Sequence, residues 1–279
     1  MVLPLHRVVV RGPHEAFGAA DPSLWHYSSK PDLQLARQEH EAFVELLRDA
    51  GAEVLHAEAA DLDGADSIYP HDPCIITDAG AILLRMGKTL RRGEPAALGR
   101  ILETMGVPTL ASLRGDALAE GGDLLWLDRR TLAVGQGYRT NVEGLRQLRR
   151  ILQPLNVNLV PVPLPHHRGP QACLHLMSLI SLVDRDLAVI YQPLLPVPFL
   201  QSLLDRGIRL VKVPDAEFDT MGANVLALAP RRGLMLEGNP LTRERLESAG
   251  CSIETYRGNE ISLKAEGGPT CLTRPILRS

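Results

Sequence analysis

The chain has 279 residues, 45% of them apolar and 23% charged, with a net charge of −3 and both signs scattered along it. That composition supports one sizeable globular core, offers no basic stripe to nucleic acid and holds no apolar run long enough to span a bilayer. The four cysteines, Cys74, Cys173, Cys251 and Cys271, form no Cys-x-x-Cys pair and gather no histidines, so no metal or other cofactor is expected. The N-terminal Met1-Val2-Leu3-Pro4-Leu5-His6-Arg7 lacks the apolar segment and small-residue cleavage site of a secretory leader. A cytoplasmic protein with free thiols, single-domain over residues 1–279 and compatible with a homo-oligomer, follows.

Along the chain, a long N-terminal loop carries Trp25-His26-Tyr27 after Asp21-Pro22; it reads as a lid over a pocket or as a surface patch. Beyond it, five segments share one pattern: the end of an amphipathic helix, a Gly or Asn cap, then a short strand. The caps are Gly51, Gly106, Asn156, Gly207 and Gly250, about 43–55 residues apart. Gly or Asn after a last helical turn is the expected left-handed cap, and the even spacing marks a repeat. Between caps lie strand pairs with short turns. They are Cys74–Thr77 with Ala81–Leu84, Leu124–Leu127 with Thr131–Val134, Leu179–Val183 with Leu187–Ile190, and Val225–Leu228 with Gly233–Leu236. The unit is strand, strand, helix, strand, and five copies bury a shared core by closing around an axis.

The loops entering the strand pairs concentrate the polar residues: 66–73, Glu120-Gly121-Gly122-Asp123, 173–178, 219–224 and Lys264-Ala265-Glu266-Gly267-Gly268-Pro269-Thr270-Cys271. In a closed ring these equivalent places converge on one end of the axis, which brings Asp72, Glu120, His175 and Cys271 into one pocket. In the last loop, adjacent glycines permit positive φ and close backbone approach, and the proline stiffens the turn before Cys271. Carboxylates with a His and a Cys suit a guanidinium, which pairs bidentately with carboxylates. Its central carbon accepts a thiolate, and a His can protonate the departing amine. Loops 85–93 and 137–141 carry arginines that could hold a carboxylate at the other end of an amino acid.

Taken singly, each of these residues has a plainer reading. Cys271 suits a small buried cysteine in a last strand, Asp72 before Pro73 a turn residue, and His175 a core histidine. Asp123 reads as a cap for backbone amides, Cys74, Cys173 and Cys251 as structural, and His166-His167 in a Pro-rich loop as solvated.

The ordered set Glu120-Gly121-Gly122-Asp123, Tyr138-Arg139-Thr140-Asn141, His175-Leu176-Met177-Ser178 and Gly267-Gly268-Pro269-Thr270-Cys271 resembles the guanidine-modifying pentein superfamily. That superfamily comprises dimethylarginine dimethylaminohydrolases, arginine deiminases and amidinotransferases, and the resemblance spans nearly the whole chain. It implies a five-bladed α/β propeller of ββαβ repeats. It also implies roles: Cys271 as nucleophile, His175 as general acid and then base, Glu120 orienting His175 and the guanidinium, and Asp72 binding guanidinium nitrogens. Asp66 and the backbone around Glu266 would line the same end, and Arg91 and Arg139 would hold the substrate carboxylate. The implied activity is metal-free hydrolysis of arginine or an N-methylated arginine through a covalent thiouronium, giving citrulline and an amine. Arginine deiminase and amidinotransferase activities use the same site.

Two departures bear on the subclass. Deiminases and amidinotransferases usually carry His-x-Asp, whereas position 177 is Met, an apolar residue that could pack against N-methyl groups. Conversely, His71-Asp72-Pro73 looks more like the Arg-Asp-Pro of deiminases than the Glu-Asp of dimethylarginine hydrolases. A non-catalytic propeller used for protein binding is the rival from another class, and it gives no reason for a thiol to face carboxylates.

Overall fold

In a computed structural model, which describes residues 1–59, 61–172 and 174–279, the chain starts with β1 (Leu5–Val10) and two short helices, α1 (Glu15–Gly18) and α2 (Pro22–Trp25). Then comes the longest helix, α3 (Leu33–Asp49), and β2 (Glu53–His56). The Asp32 side chain caps α3 by accepting from the Leu35 amide at 2.9 Å. Ala36, His40, Phe43, Val44 and Leu47 form its buried stripe. A helix of this kind makes the crossover that two parallel strands need, and β1 pairs with β2 in parallel.

Three further units follow the same wiring in full. They are β3 (Cys74–Thr77), β4 (Gly80–Leu83), α4 (Glu94–Thr104) and β5 (Thr109–Ser112); β6 (Leu124–Asp128), β7 (Thr131–Gln136), α5 (Val142–Leu152) and β8 (Asn158–Pro163); and β9 (Ile180–Asp184), β10 (Leu187–Ile190), α6 (Val197–Asp205) and β11 (Arg209–Lys212). A fourth is β12 (Val225–Ala229), β13 (Arg232–Leu236), α7 (Pro240–Ser248) and β14 (Ser252–Tyr256). In each, the hairpin is antiparallel and the strand after the helix returns parallel to the middle one. The middle strands β4 and β10 are buried along their whole length, hence their unbroken apolar sequences. All five predicted caps, Gly51, Gly106, Asn156, Gly207 and Gly250, have positive φ.

The last strand, β15 (Arg274–Arg278), pairs antiparallel with β1 and completes the fifth sheet. The repeat count from the caps is therefore right, but the fifth hairpin has no local turn, because its two strands are the two ends of the chain. Arg274 pins β15 by donating to the Cys74 carbonyl at 2.6 Å, and Arg278 donates to the Leu3 and Ala227 carbonyls at 2.7 and 2.8 Å.

Five hydrophobic clusters hold the five three-stranded sheets together. Each is shared by two neighbours. Val9 meets Ala81 and Leu98, Ile82 meets Leu132 and Leu148, and Leu125 meets Ile190 and Leu203. Val189 joins Val225 and Ile253, and Phe43 and Leu47 join Leu234 and Tyr256. The last of these links the fourth repeat to the sheet made from the termini, so the ring closes as a five-bladed α/β propeller. Among the described residues, no helix is long and apolar enough to cross a membrane.

Candidate active site

The loops that enter each blade meet at one end of the ring. They line a cavity with Asp66, Asp72, Glu120, His175 and Cys271, and with Lys88, Arg91, Arg139 and Glu266 around them. The Glu120 loop is shaped by what packs on it. A Cβ on Gly122 would fall 2.4 Å from His175 Nδ1, so only glycine lets the imidazole lie flat against this turn. The ring then reaches Glu120: His175 Nε2 is 2.8 Å from Glu120 Oε2, and an ionised carboxylate can only accept, so the imidazole donates. The other oxygen accepts from the Lys88 backbone amide at 3.0 Å and faces Arg139 Nη1 at 3.5 Å. Glu120 is 1% exposed. Burial pushes its carboxyl up, but His175 and Arg139 outweigh this and hold it below the ordinary value.

Asp72 is held equally firmly. Its Oδ1 accepts from the Gly122 amide at 3.0 Å and its Oδ2 from Arg91 Nη1 at 2.6 Å. Burial raises this carboxyl too; Arg91, and after it His175, drive it well below the usual carboxylate range. Asp123 is the structural joint that its sequence context predicts. It accepts from Thr140 Oγ1 at 2.6 Å and from the Leu176 amide at 2.9 Å, tying together the loops that carry Glu120, Arg139 and His175. Burial outweighs the nearby His175 and these two hydrogen bonds, and its carboxyl rises to about 6.

Cys271 is half-buried on the turn before β15, not inside a strand. The two preceding glycines are there for proximity alone, since neither has positive φ; that conformation falls on Glu266, at 57°. A Cβ on Gly267 would meet the Tyr69 ring at 2.2 Å, and one on Gly268 would meet Asn224 at 2.5 Å. Asn224 is a residue that sequence reasoning missed. Its Oδ1 accepts from the Thr270 amide and hydroxyl at 3.1 and 2.9 Å, and its Nδ2 points at Cys271 Sγ at 4.0 Å. Its place at the end of the loop entering β12, equivalent to the other site loops, was the available signal.

Other expectations need correcting. Arg91 lines the cavity, but its guanidinium is committed: it forks onto Glu94 at 2.9 and 2.8 Å, binds Asp72, and donates to the Tyr69 carbonyl at 3.0 Å. These bonds hold Asp72 in place. Met177, 3% exposed, packs in the core with Leu125 and Ile180 and does not line the cavity, so it is not a cradle for N-methyl groups. Asp66 is in place, with Tyr27 Oη and Lys88 Nζ already on its two oxygens. Trp25 and His26 line the cavity, which favours a wall over a detached surface patch. His166 bonds Tyr138 Oη at an exposed position, and no metal-binding group occurs among the described residues. Cys74 and Cys251 are buried free thiols; Cys173 lies outside the described residues.

A ring of five ββαβ blades with acid, imidazole and thiol at one end defines the class: guanidine-modifying enzymes of the pentein fold. Residues 22–278 match the family model described as N,N dimethylarginine dimethylhydrolase, eukaryotic. The chain is 30% identical to the N(G),N(G)-dimethylarginine dimethylaminohydrolase of Streptomyces coelicolor, over 97% of each chain. It is 31% identical to an arginine deiminase of Mycobacterium avium, over 58% of this chain and 47% of that one. A solved Pseudomonas aeruginosa DDAH structure complexed with citrulline superposes with a TM-score of 0.79 at 22% identity, covering 99% of this chain and 100% of that one. The chain belongs to the dimethylarginine dimethylaminohydrolase family, and it is an amidinohydrolase acting on guanidino compounds.

Proposed function

We propose that Cys271, His175 and Glu120 hydrolyse the guanidinium group of arginine or an N-methylated arginine. The observation that carries this is the 2.8 Å Glu120–His175 contact in a cavity that also holds Asp72 and Cys271. The guanidinium pairs with Asp72 and Glu120, whose depressed proton affinities keep both ionised at neutral pH. Bound there, the cation favours ionisation of Cys271, whose proton passes to His175 and leaves a thiolate beside an imidazolium. The thiolate attacks the central carbon and forms a C–S bond. His175 passes a proton to the departing nitrogen as the C–N bond breaks, leaving a thiouronium. The neutral imidazole then takes a proton from water, whose oxygen attacks the same carbon. The C–S bond breaks, the thiolate returns, and a ureido product leaves, citrulline when the substrate is arginine.

Glu120 keeps His175 in orientation through this cycle, and Asn224 keeps the nucleophile turn in place. Arg139, which lines the same cavity and faces Glu120 Oε1 at 3.5 Å, meets the substrate carboxylate. A binding propeller without catalysis does not account for this wall: desolvated carboxylates are costly to keep, and here two of them converge on one imidazole and one thiol. The test is incubation with arginine, asymmetric dimethylarginine and agmatine, with colorimetric detection of ureido product and assay of the released amine. Ureido product with stoichiometric amine from the first two is expected. No ureido product from any of the three overturns the reading.

A further inference from the structure

The mouth of the cavity contains a cation site that is already filled by the protein. Lys88 Nζ lies 2.5 Å from Asp66 Oδ2 and donates to the Trp25 carbonyl at 2.8 Å. It also sits 4.9 Å from the centroid of the Trp25 ring and 5.9 Å from that of Tyr27. A carboxylate, a carbonyl and two aromatic faces around one ammonium make a cage suited to an ammonium group. The Lys88 side chain is 13% exposed and that of Asp66 is 7% exposed, so the pair is largely shielded from water. Tyr27 Oη donates to the other Asp66 oxygen at 2.7 Å, and the Lys88 ammonium balances the one negative charge of Asp66. The Lys88 backbone amide meanwhile holds Glu120, which fixes the cage at a set distance from the carboxylates proposed to bind the guanidinium.

We propose that Lys88 is a specificity-determining residue: by filling this cage it steers the site towards guanidino carboxylates that carry no ammonium beside the carboxylate. The proposal rests on the guanidine-hydrolase reading above. A substrate ammonium arriving at the mouth finds a like charge on the acceptors it needs and must displace Lys88 to use them. A carboxylate, by contrast, needs none of these acceptors and meets the positive charge of Arg139 with favourable sign. Arginine therefore binds with the displacement of Lys88 as a cost, and its desamino analogue does not.

Arginine and 5-guanidinopentanoate have the same chain length and differ only in the α-ammonium, so calorimetric titration of the Cys271→Ser protein with each isolates that group. Like-charge juxtaposition at a shielded site predicts that 5-guanidinopentanoate binds roughly 10- to 100-fold more tightly than arginine. In Cys271→Ser/Lys88→Met the side-chain length and the Glu120-binding backbone amide are kept, the cage is vacated, and the gap closes or reverses. Lys88→Arg in the same background keeps a cation against Asp66 and keeps the gap. Arginine binding as tightly as the desamino compound, or a gap that survives Lys88→Met, overturns this proposal while leaving the hydrolase reading intact. Binding of neither compound removes both.

Discussion

The inner wall of the cavity and its mouth are built by different means. On the inner wall, Asp72, Glu120 and His175 come from three blades, and each is at most 5% exposed. They reach one another through short hydrogen bonds backed by Asp123 and Arg91. At the mouth, Trp25, His26 and Glu266 belong to the short helix α2 and to connecting loops. His26 and Glu266 are exposed, and both adopt positive φ, a conformation uncommon outside glycine. The difference teaches where tolerance lies. The wall that handles the guanidinium cannot move one residue without unpairing another, whereas the exposed His26 and Glu266 can change with little effect on the chemistry.

The largest expected effect comes from the reacting atom. Cys271→Ser replaces the thiol by a hydroxyl that ionises far less readily, and turnover should fall by roughly 10⁴ or more with the melting temperature unchanged. Wild-type rate in this variant would break the comparison at its root. Arg91→Ala is the next test, because it separates a wall residue from a ligand of substrate. Removing one member of a buried ion-paired set typically costs ~3–5 kcal/mol, so denaturant unfolding should show a loss of that order. A variant of normal stability whose only defect is a raised KM would restore Arg91 as a carboxylate clamp.

A smaller effect concerns pH. The Asp123 carboxyl rises from its ordinary 3.8 to about 6 in the folded protein, so between these values the native state binds more protons than the unfolded chain. Its contribution to stability therefore falls as pH rises through that window, by at most ~3 kcal/mol. Asp72 and Glu120, shifted downward, act with the opposite sign: their contribution is present above their ordinary values of 3.8 and 4.5 and is lost as pH falls below them, so only Glu120 overlaps the window, at its acid end. Asp123→Asn should flatten the fall between pH 4 and 6 in a series of thermal melts. An unchanged slope would mean that the carboxyl is not held protonated by burial.

Much of this was legible from sequence because the signals were local. Each helix cap needs one residue able to adopt positive φ, each hairpin a short polar turn, and five repeats of both leave few ways to share a core. The site loops followed from the repeat itself. What escaped was long-range or directional. The fifth hairpin joins β1 to β15 across the whole chain, with no turn to announce it. Asn224 meets Thr270 and Cys271 from another blade, and a lone Asn gives no sign of its partners. Met177 lies two residues from His175 but faces the core, a direction that spacing in an irregular loop does not set. Arg91 could have been read better: Glu94 sits three residues on, the spacing of an ion pair within a helical turn.

The most direct test is to catch the covalent intermediate. His175→Ala removes the base that activates water, so a substrate whose leaving group departs without a proton from the protein, such as an S-methylisothiourea analogue of arginine, should load the enzyme and stay. Mass spectrometry of the acid-quenched, digested protein should then show one adduct, on the peptide carrying Cys271, that is absent from a Cys271→Ser/His175→Ala control. Turnover by the wild-type protein with no adduct on Cys271 in the trapping variant, or an adduct on another cysteine, would contradict the account.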